Sequence, residues 1–383
     1  MRDDLLSIAT GVWDFLKRHA DEFDTRNWQL EWLGFLPGKR ESRRYVGDHT
    51  ITQADVEAGG PFADVIAYAG WSMDNHPPGG FYEPGEPTVF HPAPSPWGIP
   101  YRSIYSRNVA NLLFAGRNIS ATHIALSSSR VMRTCAVIGQ AAGTAAAIAT
   151  RCRLTPREVG RERIDELQQR LLGDDAYLPA VVRRPTAVTK RARIVASNAG
   201  ARYTVGRARS VYPDDVVVFA GGLRAGQRTS IEWIHSDYVA DPEALRNGVD
   251  RTVDEADNGY WCAPGDTIEY RLDASPGEDD SQSPPRCLRI RFDSNLSRHY
   301  EDHRMKYHYP LDDPGTPVAE TLVREFTVEV RAAGRWDTIA EVVDNRQRYV
   351  RVDLPDTPME AVRLTPRATW GAPLVHLFAL DLE

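Results

Sequence analysis

The chain has no window of about 18 consecutive apolar residues, so no membrane-spanning helix is expected from it. Its start, Met1-Arg2-Asp3-Asp4-Leu5, carries acids where a signal peptide needs a basic and then an apolar segment. Cysteine is scarce. Cys135, Cys152, Cys262 and Cys287 are too scattered for a disulfide framework or a Cys-x-x-Cys metal centre. No metal site is expected, and a reducing cytoplasm is the expected compartment. An excess of basic residues is also missing. Lys and Arg number 46 against 53 Asp and Glu, a net charge of −7 without a basic stripe, which argues against nucleic acid as a partner. What remains is ordinary globular material: 42% hydrophobic and 26% charged over 383 residues, enough for two or three domains.

The pattern changes near residue 173. Before it, Leu5, Ile8, Val12, Phe15 and Leu16 recur at helical spacing and predict an amphipathic helix over 3–20. Residues 134–150 are nearly all small and apolar, which predicts a helix buried on most sides. Ile164, Leu167, Leu171 and Leu172 predict a surface helix over 161–172. Between them, 76–101 is crowded with prolines, among them Pro84, Pro92, Pro94, Pro96 and Pro100, and reads as a rigid extended loop without ladder pairing. A loop that long inside a domain is often functional.

After about residue 200 the period becomes two. Leu288, Ile290 and Phe292 alternate with arginines, as Phe326, Val328 and Val330 alternate with polar residues. Further runs at 229–234, 267–272, 337–343, 350–354, 361–365 and 376–382, with turns such as Ala333-Gly334 and Pro314-Gly315, predict an antiparallel β-sandwich with polar outer faces. The expected organisation is an α/β (α+β) portion over 1–173, a Pro- and Arg-rich linker over 174–200 and a jelly-roll-like sandwich over 201–383.

The chemistry concentrates in 108–149. Leu112-Leu113-Phe114-Ala115 reads as a short buried strand, and Gly116-Arg117-Asn118 follows it as a turn. A helix beginning near Thr134 offers unbonded backbone N–H groups and a partial positive charge at its first turn, which suits an anion. The plainer reading is a buried αβ unit that holds no ligand.

These residues carry a resemblance. Asn111-Leu112-Leu113-Phe114-Ala115-Gly116-Arg117-Asn118-Ile119-Ser120-Ala121-Thr122-His123, then Arg130-Val131-Met132 and Gly139-Gln140-Ala141-Ala142-Gly143-Thr144-Ala145, resemble the C-terminal flavin-binding motif of the FAD-dependent oxidoreductase family. That family shares its flavoprotein fold with the heterodisulfide reductase A subunit. Gly38 to Asp48, Trp71 to His76 and Ile99 to Ser103 are similar to upstream stretches of the family, in the same order. The resemblance covers about residues 1–172 and implies FAD as cofactor. The Gly-x-Gly-x-x-Gly turn that cradles a dinucleotide pyrophosphate is absent, since Gly59-Gly60, Gly79-Gly80 and Gly221-Gly222 lack its spacing and flanks. The adenosine-binding half is therefore expected to lie upstream of a truncated frame or on a separate chain, unless the domain no longer holds flavin.

The resemblance implies that Gly116, Arg117 and Asn118 contact the ribityl and phosphate groups, with Met132, Arg133 and Thr134 at the pyrimidine end of the ring. Asp74 and His76 resemble the family's Asp-x-His pair, a candidate proton-transfer dyad. His123 is a candidate for the redox edge. Arg43, beside Arg40, Glu41 and Arg44, is a candidate clamp for a substrate carboxylate. Each has a plain alternative: a surface ion pair for Arg117 and the 40–44 cluster, a satisfied turn or core histidine for His76 and His123. Cys135 reads as a packed small residue rather than a reactive thiol. Trp233, Tyr238, Trp261, Trp336 and Trp370 include a candidate carbohydrate-stacking platform of the galactose-binding type, with core packing as the plain alternative. Asp293-Ser294-Asn295 offers candidate calcium ligands. Two functions stand: an oxidoreductase, or its C-terminal portion, moving hydride between a small organic substrate and flavin; or a non-catalytic protein binding carbohydrate or a partner on a degenerate flavin scaffold.

Overall fold

The structure is a computed structural model. It describes every residue except 1, 21, 37, 39–42, 78, 87, 95, 212–229, 254–255, 273–283 and 296–317, and the statements below concern the described residues. Of the sequence readings, Arg40, Glu41, Gly221-Gly222, the turn Pro314-Gly315 and the side chain of Trp233 fall outside them. The chain divides into two units, Met1–Tyr45 and Val46–Glu383.

In the first unit α1 (Arg2–Arg18) begins with Asp3 and Asp4 and ends with Lys17 and Arg18, charges that complement the helix dipole. None of its residues is buried, and Leu5, Val12 and Phe15 of its apolar stripe are exposed. The Lys17 ammonium donates to the carbonyls of Thr25 (2.7 Å) and Trp28 (2.9 Å), which folds the following segment back along the helix. Trp13, Phe23, Trp28, Leu30 and Trp32 thereby line a cavity of about 640 Å³.

The second unit opens with α2 (Gln53–Glu57), β1 (Val65–Ala69), β2 (Met73–Asn75), β3 (Val89–His91), β4 (Trp97–Pro100), α3 (His123–Ser129), α4 (Met132–Cys152), α5 (Pro156–Glu162) and α6 (Ile164–Gly173). The strands pair antiparallel, β1 with β4 and β2 with β3. No parallel sheet occurs among the described residues of this part, so it is α+β. The 76–101 stretch corrects the sequence reading: two strands do form there. Pro92, Pro94 and Pro96 fall between them, and Pro100 takes the last position of β4, where a missing N–H costs least. The strand expected at 112–115 reduces to a bridge between Tyr105 and Leu113, with Phe114 N–H donating to the Ile104 carbonyl at 2.6 Å. The core centres on Trp97, Tyr101, Ile66 and Ile99, each fully buried. The Trp97 indole donates to Ser128 Oγ at 2.9 Å, and Ser128 donates to the Trp71 carbonyl at 2.5 Å.

Beyond α6 come α7 (Ala187–Arg191), β5 (Arg193–Ala196), β6 (Arg202–Val211), β7 (Ser230–Val239), β8 (Tyr260–Cys262), β9 (Ile268–Arg271), β10 (Cys287–Phe292), β11 (Val323–Ala332), β12 (Arg335–Val342), β13 (Tyr349–Asp353), β14 (Ala361–Thr369) and β15 (Val375–Leu382). A four-stranded sheet (β13-β10-β15-β8) and a five-stranded one (β12-β11-β14-β9-β5) share one apolar core and form the sandwich, with β6–β7 as a separate hairpin. The 174–200 stretch was expected to be a linker, but it contains α7 and β5, and β5 pairs with β9. Nor are all outer faces polar, because every residue of β15 is buried. Its polar side chains, His376 and Asp381, are covered by partners from distant segments.

Those partners include a joint between α6 and the sandwich. Arg291, fully buried on β10, donates to the carbonyls of Leu172 (3.1 Å) and Gly173 (2.6 Å), a cation at the C-terminus of α6. Arg348 grips Asp175 with two bonds (2.9 and 3.3 Å) and also donates to the Asp250 carbonyl. Arg183 grips Asp250 with two bonds (2.6 and 3.0 Å) and pairs with Asp381.

Candidate functional site

Three local features make up the candidate site. The hairpin β2–β3 pairs Asp74 with Phe90 and Asn75 with Val89. Asp74 Oδ1 accepts from the Thr88 hydroxyl at 2.6 Å and lies 3.4 Å from His76 Nε2. Arg130, at the C-terminal end of α3, donates to the Asp74 carbonyl at 2.9 Å and stands 3.5 Å from Asp74 Oδ2. His123, the first residue of α3, bonds Asn75 Oδ1 through Nε2 at 2.9 Å. The fold therefore brings Asp74, His76 and His123 to one short strand and adds Thr88, Asn75 and Arg130. Sequence reasoning missed those three. Arg130 stood within the quoted motif, but Thr88 carried no signal, because it meets Asp74 only through the hairpin.

The second feature is the turn at Gly116–Asn118, one turn of 3-10 helix. Gly116 has φ +84°, a conformation that L side chains rarely adopt, and a Cβ there would meet no atom within 4 Å. Ala115 ahead of it is extended and gives no side-chain cap, which leaves the first N–H groups of the turn open. Arg117 is exposed.

The third is the start of α4. Val131 precedes it in extended conformation without a side-chain cap, and the first helical bond is Cys135 N–H to the Val131 carbonyl. Met132 is 87% exposed, Arg133 is exposed and Thr134 is buried. The 3-10 turn packs against α4. Burial pushes the Cys135 thiol upward, and the nearby Arg117 charge opposes that rise. Cys135 is thus a half-buried, largely protonated thiol, and its Sγ lies 3.5 Å from the Arg130 carbonyl.

Helix α4 departs from expectation along its length. It is not buried on most sides. Ile138, Ala141, Ala142, Ala145 and Ile148 face the core, whereas Ala136, Gln140, Gly143 and Ala147 are exposed. A Cβ on Gly139 or Gly143 would meet nothing within 4 Å. The helix therefore presents a bare, uncharged, small-residue face.

The remaining candidates within the second unit do not join this cluster. Arg43 belongs to the first unit and is exposed. Asp293, read as a calcium ligand, faces His376 instead. Of the proposed stacking aromatics, Trp261 is buried with its ring stacked on His376 at 4.0 Å. The Arg363 guanidinium lies 4.0 Å over the Trp336 ring, and Arg346 lies 4.8 Å over Trp370. Tyr238 donates to the Gly259 carbonyl at 3.4 Å.

Residues 1–171 match the family model of the FAD dependent oxidoreductases. The match takes in α1 to α5 and most of α6 and leaves the sandwich outside it. No curated protein matches the chain. Several solved structures are similar to parts of it. The family 32 carbohydrate-binding module of Streptococcus pneumoniae EndoD is 12% identical and covers 49% of this chain and 97% of its own, with a TM-score of 0.26. Chitosan-binding module 1 of a Paenibacillus sp. IK-5 chitosanase/glucanase is 11% identical over 37% of this chain and 84% of its own, at 0.25. The family 32 module of C. perfringens NanJ is 8% identical over 50% and 98%, at 0.24. At such scores these likenesses bear on neither fold nor function. The oxidoreductase match coincides with the part that contains the β2–β3 hairpin, the Gly116 turn and the start of α4.

Proposed function

We propose that this chain is the C-terminal portion of an FAD-dependent oxidoreductase. In this reading it moves hydride between a small organic substrate and flavin. The observation that carries the reading is the packing of the uncapped Gly116 turn against α4, with the Arg117 charge acting on Cys135 in the first turn of that uncapped helix, inside the family-matched region. Their donors suit the oxygens and ring nitrogens of a flavin, and the exposed Arg117 in the turn and Arg133 in the first turn of α4 add positive charge. When bound, flavin supplies the hydride-accepting centre, which no side chain can provide.

The chain's own residues have separable tasks. The first-turn N–H groups of α4 stabilise negative charge beside them. Thr88 and Arg130 fix the Asp74 carboxylate, and Asp74 orients His76, which is exposed enough to hold or pass a proton at Nε2. Asn75, the last residue of β2, holds His123 beside the same end of the strand.

The fit extends to the flavin side only, because no glycine-rich cradle for a pyrophosphate stands in the sequence. The adenosine side is assigned to a separate polypeptide segment carrying that cradle, and the bare face of α4 is the seat available to it. The test is spectroscopic. FAD added to the purified chain, alone and with such a segment, is expected to shift its absorbance and to bleach with dithionite while protein-bound. Asp74→Asn is expected to retain the flavin and lose turnover by about 10²-fold or more. A chain that takes up no flavin in either condition overturns the proposal and leaves the binding-protein alternative.

A further inference from the structure

The joint between α6 and the sandwich holds more buried positive charge than negative. The side chains of Arg183, Arg251, Arg291 and Arg348 are each at most 15% exposed. Among the described residues they pair with three carboxylates only, those of Asp175, Asp250 and Asp381, which are no more exposed. One cation is left over. Burial holds the Arg291 and Arg251 guanidinium groups below their usual range, against the pull of Asp250 and Asp175. A buried lysine would shed its proton here, but a guanidinium does not, so another group has to meet the surplus charge.

The hydrogen bonding points to the same place. Arg289 and Arg291 alternate onto one face of β10, and their cross-strand neighbours are Asp381 on β15 and Tyr349 on β13. Among the described residues, nine buried side-chain atoms lack a hydrogen-bond partner, and five of them belong to these four residues: Arg289 Nε, Arg291 Nε and Nη1, the Tyr349 hydroxyl and Asp381 Oδ1. Arg291 Nη2 is spent on the Leu172 and Gly173 carbonyls. Its Nε lies 3.3 Å from Asp250 Oδ2 and 3.5 Å from Asp175 Oδ1 without bonding either. The guanidinium stands 5.0 Å over the Tyr349 ring. Burial raises the Tyr349 phenol against the opposing charges of Arg289 and Arg291, so it keeps its proton at neutral pH and is a donor, not the missing anion.

We propose that this face of the joint binds one small monovalent anion, chloride, with Arg291 Nη1 supplying the charge and the Tyr349 hydroxyl a second donor. The ion neutralises the surplus cation and steadies the arginine that holds the last carbonyls of α6. A water shared with Asp381 Oδ1 would satisfy the same hydrogen bonds and leave the charge unmet, and it is the outcome that refutes the site.

The experiment is urea unfolding of the whole chain at pH 7 while sodium chloride replaces sodium gluconate at fixed ionic strength. Surface pairs are then screened equally throughout, and gluconate is too bulky for a buried site. Above the dissociation constant, each tenfold rise in chloride is expected to lower the unfolded-to-folded ratio tenfold, the slope for one ion bound by the folded chain alone. Arg291→Met is expected to abolish that dependence. Tyr349→Phe, which removes a donor and no charge, is expected to move its onset to about tenfold more chloride. Wild-type crystals soaked in bromide are expected to show an anomalous peak beside Arg291 Nη1. Equal wild-type stability in the two salts, a dependence unchanged by both substitutions, or a soak that leaves only water at Arg291 overturns the site whether or not the variants fold.

Discussion

Arg183 and Arg184 are adjacent, both pair with aspartate, and they should behave in opposite ways. The Arg183 side chain is 3% exposed and is shared between Asp250 and Asp381, themselves 9% and 5% exposed. Arg184 is 56% exposed and pairs with Asp165, 66% exposed. An exposed pair gains little in water and is screened by salt, so Arg184→Ala should cost about 0–1 kcal/mol. Removing the buried guanidinium leaves Asp381 without a hydrogen-bonded cation, because its other oxygen, Oδ1, has no partner among the described residues and the Arg291 charge acts on it only from a distance. Breaking one side of a buried pair costs roughly 3–5 kcal/mol, most of it the penalty of the orphaned charge. That penalty has a pH signature. In Arg183→Ala, Asp381 is stranded in a dry site, and its carboxyl must rise above the unfolded value. The stability gap between wild type and variant should then be full at pH 7 and narrow as pH falls towards 4, where the stranded acid protonates. Urea unfolding of both variants at pH 7 and pH 4.5, in low and high salt, reads all of this. Equal costs for the two substitutions, or a gap for Arg183→Ala that widens in acid, would refute the reasoning.

Two further outcomes concern the part that matches the family model. Gly116→Ala meets no clash but forces a Cβ onto a backbone at φ +84°, so it should lower stability by about 1–2 kcal/mol in thermal unfolding and weaken flavin uptake. Trp97→Phe removes the indole donor to Ser128 and should cost about 1–3 kcal/mol. Adding Ser128→Ala should cost less in the double variant than the two single effects summed, because the second change removes the hydroxyl that the first left short of a partner.

The sequence showed the strands well where only one face is buried. Phe326, Val328 and Val330 pack in the core while Glu325, Glu329 and Arg331 are only partly buried, and 323–332 is a strand, although Thr327 between them is buried as well. It failed on β15, where His376 and Asp381 resembled solvent-facing positions and are instead enclosed by residues far away in the chain. Composition misled on α4, since alanine and glycine look apolar whether they face a core or stand bare. The candidate site was half legible. Asp74, His76 and His123 were expected by resemblance, but the Thr88 contact depends on a hairpin that the prolines concealed. The joint was invisible for a simpler reason. Arg183 meets Asp250 across 67 residues and Asp381 across 198, and no local pattern registers such a pair.

That last separation imposes an order on assembly. During synthesis the helical portion emerges first, with the α6 end and Arg183 in hand, yet two of the groups that anchor it, Arg348 and Asp381, come last. Until β15 has slotted between β10 and β8, Arg183 lacks one of its two carboxylates and His376 has no place to dock. A ribosome-bound chain stalled before residue 375 should therefore hold a helical portion not yet anchored to the sandwich, open to chaperones or to a competing partner.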